Sequence, residues 1–300
     1  MRVFKFGGAS VKDAEGVKNV VNVLTETGHE NTVVVVSAMG KTTNALEAVV
    51  DAYFNKPEAY KSALQEVETF HQNIIEQLFE ASNTPVSKRV KNLFEQCHTF
   101  LANNRSPHEA FVYDQVVSFG ELVSTSIICA YLNHIGMPAE WVDARACVKT
   151  DNFYRSALLD WEHTQMAIQN QVQGSVLKIT QGFIGSDENN FTTTLGREGS
   201  DYSAAIFAYC LGATEVTIWK DVPGVLNADP RVFDKTQLLH HISYQEAIEL
   251  AFYGASVIHP KTLQPLQRKE IPLFVKSFLN PTESGTQVGK GVRMHPEVPC

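Results

Sequence analysis

Val33 to Val36 form an unbroken run of β-branched residues. A strand with no polar face must be covered on both sides, and strands covered on both sides belong to parallel sheets flanked by helices. The run ends in Ser37, Ala38, Met39 and Gly40, after which Thr42, Thr43 and Asn44 open a helix. The N-terminus follows the same plan: Val3, Phe4 and Phe6 make a short apolar strand, Gly7 to Ser10 a loop, and Asp13 to Leu24 an amphipathic helix. Two strands that each end in a small-residue loop feeding a helix imply a βαβ unit. Ligands of such sheets bind outside the carboxyl ends of the strands, so Gly7–Ser10 and Ser37–Thr43 are expected neighbours in one site. Lys5 lies in the first strand just before the glycines, where it is either a surface lysine or a positive charge for a phosphate. The lysine precedes the turn, so this is not a P-loop.

The order of elements continues to the end of the chain. A helical stretch from about 57 to 104, broken at Asn83–Pro85, reads as an inserted hairpin with a packing role. A helix near Asp114–Asn133 carries Glu121 among apolar residues, where a carboxylate needs either a partner or an exposed edge. Strands are expected at Ala139–Val142, Val176–Thr180, Glu215–Trp219 and Leu273–Val275, and helices at Asp160–Gln173, Tyr244–Tyr253 and Pro260–Lys269. Between them, TTTLGREGSDYSAA at 192 to 205 reads as a strand, a glycine turn and a helix opening at Ser200 and Asp201. Ser200 is a good N-cap residue, so the stretch is either an ordinary capped helix or an anion site at a helix N-terminus. The loop KDVPGVLNADPRV at 220 to 232 offers Asp221, Asp229 and Arg231 to a nucleotide or its metal. Together these elements predict an α/β fold, a three-layer αβα sandwich around a mainly parallel central sheet.

Composition excludes some partners. A net charge of -8 and a pI near 5.7 argue against nucleic acid or an anionic membrane surface. Cys97, Cys129, Cys147, Cys210 and Cys300 are odd in number and widely spaced, which suits reduced thiols better than a disulfide framework or a zinc site. No stretch reads as a membrane span and no cleavable leader is seen, so a cytoplasmic protein is expected.

Five separated motifs, KFGGAS, SAMGKTTN, TTLGREGSD, WKDVPGVLNADPR and GASVIHP, make the chain resemble aspartate kinases of the amino acid kinase superfamily from Arg2 to about Gln287. The resemblance implies transfer of the ATP γ-phosphoryl group to the β-carboxylate of L-aspartate, with Mg²⁺ carried on the ATP phosphates rather than by direct protein ligands. It implies Lys5 and Asp201 as catalytic residues and Gly7, Gly8, Ser10 and Ser200 at the phosphates. Ser37, Thr43, Glu121 and Arg197 are implied at the substrate, Glu121 facing its ammonium and Arg197 its α-carboxylate. Lys220, Asp221 and Arg231 fall in the nucleotide loop. This sequence departs from the family pattern at four positions. Glu198 replaces a glycine, Ser256 a lysine that meets nucleotide phosphate, Leu226 a tyrosine, and Lys220 a threonine or serine; Lys261 could stand in for the lost lysine. The alternatives are a nucleotide-binding member that has lost turnover and a kinase of another small carboxylate. Residues 1–290 are expected to form the kinase domain and 291–300 a tail, without the ACT regulatory domains common in the family. Family precedent suggests a homodimer, through the helical hairpin or the helix that follows Glu121.

Overall fold

The computed structural model describes residues 1–229, 233, 235–252 and 258–291. Strand β1 (Arg2–Phe6) leads through a single 3-10 turn at Gly8–Val11 into α1 (Ala14–Thr27), and β2 (Thr32–Val36) into α2 (Thr42–Asn55). Asp13 starts α1 by accepting a hydrogen bond from Gly16 N at 2.8 Å. The hairpin α3 (Tyr60–Phe79) and α4 (Pro85–Asn103) follows, then the long α5 (Glu109–His134). Next come β3 (Ala139–Val142), the short α6 (Ala144–Cys147), α7 (Trp161–Gln171) and β4 (Leu177–Gln181). The antiparallel ribbon β5 (Ile184–Ser186) and β6 (Thr192–Thr194) precedes α8 (Gly199–Leu211) and β7 (Glu215–Lys220). The chain continues with β8 (His241–Ser243), α9 (Tyr244–Phe252), α10 (Pro260–Arg268), β9 (Leu273–Ser277) and β10 (Thr286–Gly289).

Eight strands form one sheet in the order β3-β4-β2-β1-β7-β9-β10-β8. Every pairing in it is parallel except β9 with β10. The alternation of side chains splits the apolar residues between two faces. Phe4, Phe6, Val34, Val36 and Trp219 pack with α1 to α5, while Val3, Val33, Val35, Val216 and Ile218 pack with α7 to α10. Burial of each such side chain contributes about 1.5–3 kcal/mol. The three-layer arrangement expected from the valine run is therefore the one observed. Sheet order reverses between β1 and β7: from β1 the chain builds outward through β2, β4 and β3, and from β7 through β9, β10 and β8. That seam is the topological switch point, where ligands of such sheets bind.

Two expectations fail. Helix α8 starts at Gly199, with Glu198 in the N-cap position at φ 54° and no capping side chain, so Ser200 lies inside the first turn and is not the cap. The glycine turn on either side already sets the entry angle, and the serine is left free for other work. Second, α5 is long and apolar enough to span a membrane, at mean hydropathy 1.4, contrary to the sequence reading. Of its most apolar 18-residue stretch 78% is buried inside the protein, between α2, α4 and the sheet, as in the central helix of a core.

Candidate active site

The loops at the carboxyl ends of β1, β2 and β4 and the N-terminus of α8 enclose a cavity of about 480 Å³. Lys5, Gly8, Ser37, Thr43, Glu121, Arg197, Ser200 and Asp201 all line it. The chain keeps these loops in close contact. A Cβ on Gly8 would stand 2.8 Å from Gly40 O and 2.9 Å from Ala38 O, so only glycine lets the β1 and β2 loops touch. A Cβ on Gly182, just after β4, would stand 2.6 Å from the Ser200 Cβ, which places α8 directly against that strand end. Gly182 and its neighbour Phe183, another wall residue, were not singled out in the sequence because the contact spans 18 residues and carries no local signal.

Lys5 is buried, and its ammonium forms an ion pair with Asp201 at 2.7 Å from Oδ1. This excludes the surface-lysine reading, because a surface lysine would not point inward beneath a helix N-terminus. Lys220 approaches Oδ2 of the same carboxylate at 3.8 Å. A Cβ on Gly7 would lie 3.2 Å from the Lys5 ammonium, so the glycine gives that group its space. Gly7 and Ser10 support the cavity rather than line it: Ser10 N donates to Gly7 O at 3.0 Å, and the serine is buried in the 3-10 turn.

Glu121 projects from the fully packed α5 and is 2% exposed. Its Oε1 accepts from Ala38 N at 3.3 Å, and its Oε2 has no partner. Burial pushes the carboxyl up to about 8, so at neutral pH the protonated form is favoured. One helical turn further on, Ser124 Oγ donates to Ser37 O at 2.8 Å, so the same helix braces the β2 loop twice.

Asp114, two turns before Glu121 on α5, was missed in the sequence. It is completely buried, and it accepts from Arg155 N at 3.0 and 3.1 Å, from Thr194 N at 2.7 Å and from Thr194 Oγ1 at 2.8 Å. It thus fixes both the end of β6, from which the turn bearing Arg197 leaves, and Arg155, a cavity residue whose backbone sits at φ 67°. The Arg155 guanidinium stacks on Tyr113 at 3.9 Å and pairs with Glu47 at 2.8 Å across the cavity mouth. Burial raises the Asp114 carboxyl to about 6 against the opposing effect of these hydrogen bonds.

Arg197 and Glu198 are exposed at the rim. The left-handed backbone of Glu198 accounts for the glycine usual there, and its exposure leaves the carboxylate to solvent. Lys261 donates to Leu195 O at 3.0 Å and lies 4.6 Å from the Tyr202 ring centroid, which puts it behind the turn rather than among the cavity walls. Burial lowers its pKa. Asp221 is exposed just beyond β7. Arg231 and Ser256 lie outside the described residues.

The cavity therefore joins a buried lysine–aspartate pair, a buried carboxyl with an unused oxygen, a rim guanidinium and a helix N-terminus. That set suits a small zwitterion with a further anionic group. Comparison with known proteins agrees with it. The chain is 35% identical over 292 residues to lysine-sensitive aspartokinase 3 of Escherichia coli, covering 95% of this chain and 63% of that protein. It is 34% identical over 296 residues to the chloroplastic aspartokinase 1 of Arabidopsis thaliana, covering 96% of this chain and 52% of the relative. The chain thus spans between about half and two thirds of the length of these relatives. The crystal structure of E. coli aspartokinase III in complex with aspartate and ADP superposes with a TM-score of 0.89 at 34% identity, covering 98% of this chain and 65% of that one. The model of the amino acid kinase family matches residues 1–277, and the chain belongs to that family.

Proposed function

We propose that this chain is an aspartate kinase, transferring the γ-phosphoryl group of ATP to the β-carboxylate of L-aspartate to give 4-phospho-L-aspartate. The observation that carries the reading is the convergence of Lys5–Asp201, Glu121 and Arg197 on one cavity. The E. coli structure with aspartate and ADP supports the two ligands. Arg197 would grip the α-carboxylate with its planar fork, and Glu121 would receive the ammonium on its unpaired oxygen. The β-carboxylate then points towards Lys5.

The acceptor is already an anion, so no general base is needed. A carboxylate oxygen attacks the γ-phosphorus and forms the new P–O bond. The bond to the β,γ-bridging oxygen breaks, and ADP leaves with its electron pair. Two anions must be brought together, and the chain contributes by neutralising charge. Lys5, held straight by Asp201, and the N-terminus of α8 face the phosphates, with Gly8 allowing backbone to approach. Lys220 and Asp221 stand on the nucleotide side. Among the described residues no group of three or more His, Cys, Asp or Glu could hold a metal ion. Mg²⁺ would ride on the ATP phosphates and supply further charge neutralisation.

Residues 1–290 form the kinase unit in this reading. Free buried Cys97, Cys129, Cys147 and Cys210 suit a reducing compartment such as the cytoplasm. A homodimer through the α3–α4 hairpin completes the reading, and sedimentation velocity tests it. Activity is tested by trapping the acyl phosphate with hydroxylamine, using aspartate, glutamate, N-acetylglutamate and carbamate as acceptors. Hydroxamate with aspartate is expected; none with any acceptor would leave a nucleotide-binding protein without turnover.

A further inference from the structure

Lys220 departs from the family pattern, and its surroundings give it a role beyond nucleotide contact. Strands β1 and β7 are neighbours in parallel, with Lys5 opposite Ile218 and Phe6 opposite Trp219, so Lys220 is the next residue past the end of the pairing. By alternation Lys5 and Lys220 emerge on the same face of the sheet, the face covered by α8. There they meet one carboxylate from two sides: Lys5 at 2.7 Å from Asp201 Oδ1 and Lys220 at 3.8 Å from Oδ2. The side chains of Lys5 and Asp201 are 10% and 1% exposed and that of Lys220 22%, so the pair is buried and the second lysine half-buried.

Among the described residues the two ammonium groups share one carboxylate, which leaves one positive charge over at a partly buried position. An unpaired buried charge is costly, and an anion arriving between the lysines would relieve that cost. The other charges nearby do not provide it. Among the described residues, burial raises the Glu121 carboxyl to about 8, and Glu198 and Asp221 are exposed. The position matters as much as the charge. Lys5 belongs to the half of the sheet whose loops enclose the acceptor cavity, and Lys220 to the half whose loops follow β7. The two lysines therefore flank the seam between β1 and β7.

We propose that Lys220 is a second catalytic lysine, contacting the transferred phosphoryl group from the β7 side while Lys5 contacts it from the β1 side, with Asp201 holding both in place. This rests on the phosphotransfer reading above. In the transition state charge spreads over the equatorial oxygens of the transferred group, and cations on two sides stabilise it more than they stabilise bound ATP. Removing Lys220 should thus lower turnover rather than nucleotide affinity.

The test is steady-state kinetics of wild type, Lys220→Met and Lys220→Arg, following ADP release with aspartate and confirming the product as hydroxamate. Lys220→Met is expected to lower kcat about 100-fold, and at least tenfold, with both KM values within threefold of wild type. Lys220→Arg, which keeps the charge, is expected to stay within tenfold of wild type. Circular dichroism checks folding, and Lys220→Gln serves as a second neutral variant with the same expected loss. A fall in kcat smaller than tenfold, or a loss carried by KM for ATP, overturns the assignment. A wild-type protein that makes no hydroxamate with any acceptor instead overturns the phosphotransfer reading, and this inference falls with it.

Discussion

If Glu121 receives the substrate ammonium as proposed, amino-acid binding is expected to release a proton. Burial holds the Glu121 carboxyl near 8, whereas an ammonium against its unpaired oxygen would favour the ionised form. At pH 7 a group of pKa about 8 is about nine-tenths protonated, so binding of aspartate should expel about 0.9 proton; at pH 9 the figure falls to about 0.1. Affinity should therefore rise nearly tenfold per pH unit below pH 8, about 1.4 kcal/mol for each unit, and then level off. Isothermal titration of aspartate in PIPES, HEPES and Tris at one pH reads the proton count from the slope of observed enthalpy against buffer ionisation enthalpy. Glu121→Gln should abolish both the buffer dependence and the pH slope, and should raise KM for aspartate more than KM for ATP. The same shift acts on stability. The folded value lies above the unfolded one, so the stability tied to the neutral form is complete below about pH 4.5 and is lost progressively as pH rises to about 8. Unliganded protein should accordingly melt at a lower temperature at pH 8 than at pH 5, and Glu121→Gln should flatten that difference. Binding enthalpies that are identical across buffers at pH 7 would refute the assignment of Glu121 to the ammonium.

Other substitutions probe the remaining parts of the site. Lys5→Ala should reduce turnover by 100-fold or more, as expected for loss of a charge acting on the transferred group, with the far-ultraviolet circular dichroism spectrum unchanged; wild-type turnover would exclude the role. Asp114→Asn keeps the shape but faces at least one backbone N–H with an amide donor, at a cost of about 1–3 kcal/mol. It should lower the melting temperature and raise KM for aspartate, because the segments bearing Arg155 and Arg197 both hang from that carboxylate. An unchanged KM would show that the clamp is only structural. Glu198→Gly relieves a side chain at φ 54° and should stabilise the fold by up to about 1 kcal/mol, read as a rise of a few degrees in melting temperature; a fall would mean the exposed carboxylate has a partner in solution.

Much of this was readable from residue order. The valine run dictated a strand covered on both faces, and the glycine-rich strand ends pointed to where ligands go. What escaped the reading was made by distance. Strands β8 and β10 are only three and four residues long, and each exists because it pairs with a chain segment far away, so no local periodicity announces it. Asp114 looked like one more polar residue near a helix start, and its importance comes from partners 41 and 80 residues away. Ser200 looked like a cap by its chemistry, but the backbone at Glu198 had already turned. Helix α5 matched a membrane span in length and hydropathy, because a helix packed on nearly every side needs the same apolar surface that lipid would demand.

The single antiparallel pairing in the sheet has a geometric consequence for anything attached to this chain. Strand β10 runs back along β9, pairing Thr286 with Val275 and Val288 with Leu273. Its last residues thus return to the pole of the sheet where β1 begins, opposite the pole that carries Lys5 and Lys220. Arg2 and Gly289 are both anchored at that far pole, so an attachment made close to either residue would begin on the side of the sheet away from the cavity.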